Sequence, residues 1–243
     1  MTRASRNSPR LANVVAFVFC AIAFDAVAQK EATPVVTNVD SIEARVQGCV
    51  TCHGTEGQGT NAGQFPRIAG KPSGYLYNQL VAFRDGTRLY PPMNYLVAYL
   101  PDNYLREISD YYAKLRPPFE SKDAAPADAA MLERGSVIAT RGDPQQGIPA
   151  CIACHGARLT GMNPGIPGLA GLRANYITAQ LTRWRVGSRH AAEPDCMKRI
   201  VSRLSETDIT AVAVWLARQD APSDASPESS NLVRMPMACG SQR

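Results

Sequence analysis

Leu76, Leu80 and Phe83 recur at i, i+4 and i+7 with polar residues between them, and Ile177, Leu181 and Trp184 repeat the arrangement later in the chain. Each set lays one apolar stripe along a helix. Ile209, Val212 and Leu216 form a third stripe, opened by "SETD", Ser205 to Asp208, a near capping box with Asp in place of Glu. Its counterpart in the first half begins at "PDNY", where proline is tolerated in the first turn of a helix. No run alternates in the manner of a strand. The pattern predicts an all-α protein.

The stripes belong to a larger internal repeat. "FPRIAGKPSGYLYNQLVAFRDGTR", Phe65 to Arg88, aligns with "IPGLAGLRANYITAQLTRWRVGSR", Ile166 to Arg189, at a constant offset of 101. Tyr75 meets Tyr176, Gln79 meets Gln180, and Phe83 meets Trp184. Beyond a short loop the offset becomes 104, pairing Met93 with Met197, Leu100 with Leu204 and Tyr111 with Trp215. "PPFESKDAAPADAA", Pro117 to Ala130, is rich in proline, alanine and charge and reads as a linker. The expected domains are therefore 29–116 and 131–220, with a tail over 221–243. At this size, apolar burial alone makes each unit marginal.

The 243 residues are 45 % hydrophobic and 19 % charged, ordinary values for a globular protein, with a formal charge of +5. The first ten residues carry three arginines and no acids, followed by an apolar run from Leu11 to Phe24 and then "AVA". This order reads as a secretory signal peptide over residues 1–28, cut after Ala28. An uncleaved anchor is the weaker reading, because the run is 14 residues and a span takes about 20. No other stretch is apolar for long enough to serve as a transmembrane anchor. Without the leader the net charge is +3. Few basic residues and an exported location argue against nucleic-acid binding.

Export to the periplasm puts the cysteines in an oxidising compartment. "GCVTCHG" holds Cys49, Cys52 and His53, and "ACIACHG" holds Cys151, Cys154 and His155. Zinc sites built from two CxxC pairs set them about 15–20 residues apart, whereas these lie 102 apart, each without an evident fourth ligand. A redox CxxC pair has no use for a histidine directly after it. Covalent haem uses all five positions: two thiols add to the porphyrin vinyl groups, and the adjoining imidazole meets the iron. Two copies of C-x-x-C-H predict two haem c groups, attached through Cys49, Cys52, Cys151 and Cys154 and ligated by His53 and His155.

Of the methionines, only Met93 and Met197 align with each other, 40 and 42 residues beyond their histidines, each expected in a loop before the last helix. Thioether sulfur is a soft ligand that raises the haem potential, which makes this pair the axial candidates. The second methionine loop is three residues longer and contains His190, read as a solvated loop residue rather than a competing ligand. Cys196 and Cys239 are expected to pair, strapping the tail over that loop.

"ACIACHG", "FPRIAG", "YLYNQLVAFRDGTR", "PPM" and "LSETDITAVAVWLA" together resemble a tandem class I cytochrome c, most closely the diheme cytochrome c4 group, over residues 38–218. The resemblance implies two tandem cytochrome c-type domains, each wrapped around one haem. It implies that Pro66 and Pro167 offer carbonyls to the free imidazole nitrogens, a form of support common to ligating histidines. It also implies facing haems and a protein that carries single electrons without being an enzyme. The expected donor is a dehydrogenase or quinol-oxidising complex and the expected acceptor a terminal oxidase. The competing readings are an electron-transfer subunit of an alcohol-, sugar- or sulfide-oxidising dehydrogenase and a diheme peroxidase. Arg183, Arg185, Arg189, Lys198, Arg199 and Arg203 fall near the second methionine loop, a candidate docking face for an acidic partner.

Overall fold

The computed structural model describes residues 38–119, 125–229 and 234–242. The expected signal peptide lies outside them. The first half runs α1 (Ile42–Arg45), α2 (Gln47–His53), α3 (Ser73–Arg84), α4 (Pro91–Val97) and α5 (Asp102–Lys114). Ser41 starts α1 by accepting the Ala44 amide. In α5, Leu105, Ile108, Ser109 and Tyr112 are buried, the i, i+3, i+4, i+7 set that gives a helix one inward face. That face meets α3, whose Leu76, Ala82 and Phe83 are buried.

The second half repeats the order with α6 (Ala129–Thr140), α7 (Ile152–His155), α8 (Ala174–Arg185), α9 (Cys196–Val201) and α10 (Glu206–Ala217). α3 and α8 correspond end to end at an offset of 101, and α5 and α10 begin at an offset of 104. α10 opens with a full capping box: Ser205 accepts the Asp208 amide and Asp208 accepts the Ser205 amide. Eight of its twelve residues are buried, because both α6 and α8 pack on it. Between α7 and α8 the chain makes a hairpin of two-residue strands, β1 (Gly161–Met162) and β2 (Ile166–Pro167), with Gly161 opposite Pro167. Among the described residues this is the one departure from helices and turns beyond isolated bridges.

Three local expectations change. Met93 and Met197 sit inside the short helices α4 and α9 rather than in loops. Two prolines at the first turn start α4, and Asp195 starts α9 by accepting the Lys198 amide. Ala129 and Ala130 belong to α6, capped by Asp128, so the segment joining the halves ends at Asp128. Its beginning is tethered, since Arg67 donates to the carbonyls of Pro117 (2.6 Å) and Pro118 (2.9 Å) and lies over the Phe119 ring.

The halves are stitched by polar contacts. The Tyr75 amide donates to Pro164 (3.1 Å), the Leu89 amide to Ser188 (2.9 Å) and the His190 amide to Thr87 (2.9 Å). Lys71 reaches across to the Gly168 carbonyl at 2.6 Å. The tail closes over the second half, with the Glu228 amide donating to Gly161 and the Gly240 amide to Pro194. A disulfide joins Cys196 to Cys239. Among the described residues, no helix is long and apolar enough to cross a membrane.

Candidate functional site

Each Cys-x-x-Cys-His segment ends a helix. His53 closes α2 and His155 closes α7, and each is followed by a glycine at positive φ, Gly54 at 82° and Gly156 at 85°. A side chain is disfavoured at that φ. Both imidazoles are buried. The Nδ1 of His53 meets the Pro66 carbonyl at 2.9 Å, and that of His155 meets the Pro167 carbonyl at 2.8 Å. A carbonyl can only accept, so each Nδ1 carries the proton and each Nε2 keeps its lone pair. Burial holds both histidines below their ordinary pKa. The carbonyls oppose this, and the nearby cations Arg88 for His53 and Lys71 for His155 reinforce it. The rings are therefore neutral, which is the metal-binding form.

Burial also pushes up the Cys49 and Cys154 thiols, and takes Cys151 to about 12. All four motif cysteines are free of disulfides. Both motifs open onto one cavity of about 910 Å³, which Met93 and Met197 also line. Its volume is at the upper end of the range for small-molecule sites. Met93 packs with Phe83, Val97 and Leu105, and Met197 bridges the main second-half core to the cluster around Cys154 and the disulfide. His190 does not line the cavity, and its Nε2 meets the Gly187 carbonyl at 2.8 Å.

These residues fit covalent haem. Two thiols and a neutral, carbonyl-oriented imidazole recur in each half. The wall between them is apolar, with Leu76, Leu80, Ile177 and Leu181 on it. Buried polar atoms with no partner also face that region, among them the Nε atoms of Arg88 and Arg189.

The cytochrome c family profile matches residues 44–106. A thiosulfate dehydrogenase electron acceptor from Thiomonas intermedia is 39 % identical over 171 residues, covering 70 % of this chain and 78 % of the relative. Cytochrome c4 of Pseudomonas aeruginosa is 31 % identical, covering 72 % of this chain and 85 % of the relative. The chain belongs to the diheme cytochrome c4 family. Among solved structures, reduced cytochrome c4 from Pseudomonas stutzeri superposes with a TM-score of 0.64 at 28 % identity, covering 73 % of this chain and 96 % of that one. Thiosulfate dehydrogenase TsdBA from Marichromatium purpuratum gives a TM-score of 0.64 at 33 % identity, covering 71 % of this chain. The chain spans only 36 % of TsdBA. This cytochrome carries two covalently bound haem c groups, and it is an electron carrier rather than an enzyme.

Residue types on α4, α9 and the turns that follow them distinguish the two halves of the cytochrome. At the offset of 104, buried Val97 matches buried Val201, and Leu96 matches Ile200. The exposed Tyr95 and Tyr99 become Arg199 and Arg203, and half-buried Asn94, whose side-chain amide donates to the Phe83 and Arg88 carbonyls, becomes exposed Lys198. Tyr95 and Tyr99 are 84 % and 95 % exposed, and the three second-half cations are exposed too. Arg189 departs from the expected basic face, because it is buried between the halves. Arg88, its repeat partner, was not singled out from the sequence at all. The available signal was polar Tyr, Gln and Arg recurring in register beside an apolar stripe.

Proposed function

We propose that the cytochrome accepts electrons from a thiosulfate dehydrogenase and passes them singly to a terminal acceptor in the periplasm. The supporting observation is the 39 % identical relative with that role, which matches across both halves of this chain. Residues 1–28 form the signal peptide, residues 29–116 and 129–220 the cytochrome domains, and the tail after them a strap. Cys49 and Cys52 hold one haem by thioether bonds, and Cys151 and Cys154 hold the other. When bound, each haem supplies a one-electron ferric–ferrous couple.

The chain's own residues tune that couple. His53 and His155 present Nε2 to the metal, and the Pro66 and Pro167 carbonyls fix each ring and enrich it in electrons. Met93 and Met197 complete the ligand sets, and their thioethers favour the reduced state. The apolar walls exclude water, which limits reorganisation as charge changes. The exposed set Lys198, Arg199 and Arg203 gives an acidic partner an attractive field at the second domain.

The test mixes the purified oxidised cytochrome with thiosulfate and a thiosulfate dehydrogenase and follows the Soret shift by stopped flow. Rapid reduction that depends on both components supports the reading. Reduction no faster than by thiosulfate alone overturns it. Met93→Ala and Met197→Ala are each expected to remove half of the methionine-to-iron charge-transfer band, and an unchanged band would refute their assignment as ligands.

A further inference from the structure

Lys71 stands at a break in the repeat. It lies just before α3, and at the offset of 101 its counterpart in the second half is Leu172. Leu172 packs into the apolar core of its own half. The Lys71 side chain instead leaves its half altogether: its Nζ donates to the Gly168 carbonyl at 2.6 Å, across 97 positions of sequence. Lys71 is 6 % exposed, and among the described residues its ammonium forms no ion pair. A buried charge without a counter-charge is costly to keep. Burial first, and then repulsion from Arg67, pull its pKa down to about 7.

The carbonyl that Lys71 meets belongs to the frame of the second haem site. Gly168 follows Pro167, whose own carbonyl holds His155 Nδ1 at 2.8 Å. A Cβ on Gly168 would lie 2.5 Å from the Thr160 carbonyl oxygen, so the backbone is packed too closely there for any side chain. The Leu169 and Ala170 amides both donate to Leu159 and pin the chain just beyond it. Lys71 and His155 line the same cavity. The cation acting on His155 is this lysine from the other half, whereas the cation acting on His53 is Arg88 from its own.

We propose that Lys71 of the first half is a positioning residue for the second haem, bracing the segment that supports His155 and raising that haem's potential. The inference rests on His155 as the ligand of the second haem. An ammonium bonded to the carbonyl beside Pro167 weakens the electron donation of that segment to the imidazole, and such support of a ligating histidine tunes its metal. The charge itself disfavours the ferric state, which carries one positive charge more than the ferrous. Leu172 has no charge to return, so this influence runs from the first half to the second.

Optical redox titrations of the haem-loaded protein at pH 6, where Lys71 is protonated, test this with Lys71→Met and Lys71→Arg. Met197→Ala displaces the wave of the second haem and so identifies it. Lys71→Met is expected to weaken reduction of the second haem about tenfold, a fall of about 59 mV for a one-electron couple, and to leave the wave of the first haem in place. Lys71→Arg, which keeps the charge, should recover most of the loss. No shift, an equal shift of both waves, or an arginine variant as low as the methionine one would overturn the proposal. The mass and the charge-transfer band of each variant report haem content and ligation separately, so a lost ligand is not mistaken for a lost charge. If Lys71→Met does not fold, wild-type protein carrying nitrogen-15 lysine serves instead. Its buried ammonium resonance should move as the second haem is oxidised, and a resonance that stays still or follows the first haem alone would refute the contact.

Discussion

Replacing both Cys196 and Cys239 with alanine removes the bond that holds the tail to α9. The two residues are separated by 43 positions. Tying off a loop of that length lowers the entropy of the unfolded chain, and the chain-entropy relation at 25 °C puts the stabilisation at about 4 kcal/mol. Nearly all of it should fall on the second half, where Gly240 and Glu228 already anchor the tail by backbone bonds. Both tryptophans, Trp184 and Trp215, lie in that half, so their fluorescence reports on it selectively. With a guanidinium slope of about 2–6 kcal/mol per molar, the fluorescence midpoint of the holoprotein should fall by about 0.7–2 M. Reduced wild-type protein should behave like the variant, which separates the bond from side-chain packing. A midpoint unchanged within error would show that the tail contributes nothing to folding, and the argument from loop closure would be wrong.

Other perturbations test the packing and the caps. Gly135 lies in α6 where a Cβ would run into the Ala211 carbonyl of α10, so Gly135→Ala should destabilise by about 1–3 kcal/mol, seen as a lower thermal midpoint. Ser205→Ala removes the cap of α10 and should cost about 1 kcal/mol in the same assay. Burial would push the Asp208 carboxyl up, but the Arg134 guanidinium and Ser205 pull it below the ordinary carboxylate range. A depressed folded pKa gives stability that is present above the unfolded value of about 3.9 and is lost as pH falls through the folded one. Thermal midpoints should therefore drop from pH 5 to pH 2 more steeply in the wild type than in Asp208→Asn, and equal slopes would remove Asp208 from the acid response.

The features legible in the sequence are those set by near neighbours. The Cys-x-x-Cys-His spacing is a property of a single turn, the stripes of α3 and α8 show the helical period, and Ser205 with Asp208 announces a cap. Helices α4 and α9 were hidden because seven and six residues are too few to show a period. Arg189 was misplaced for a different reason. A charged residue beside other basic residues suggests a wet surface, and only the meeting of the two repeats turns that position inward. Phe119 likewise sits in a segment of polar and small residues, and what draws it down is Arg67, more than fifty positions earlier in sequence.

At the methionine helices the duplication kept buried Val97 and Val201 and exchanged exposed Tyr95 and Tyr99 for Arg199 and Arg203, which leaves the two halves with surfaces of different charge. Tyr95 and Tyr99 offer a visitor nothing until it touches, so dissolved salt is irrelevant there. Lys198, Arg199 and Arg203 act at range, and their reach shrinks to about 8 Å at physiological ionic strength. On the proposed docking of an acidic partner at the second domain, rising salinity would slow encounter there and leave contact at the tyrosine surface of the first domain little changed.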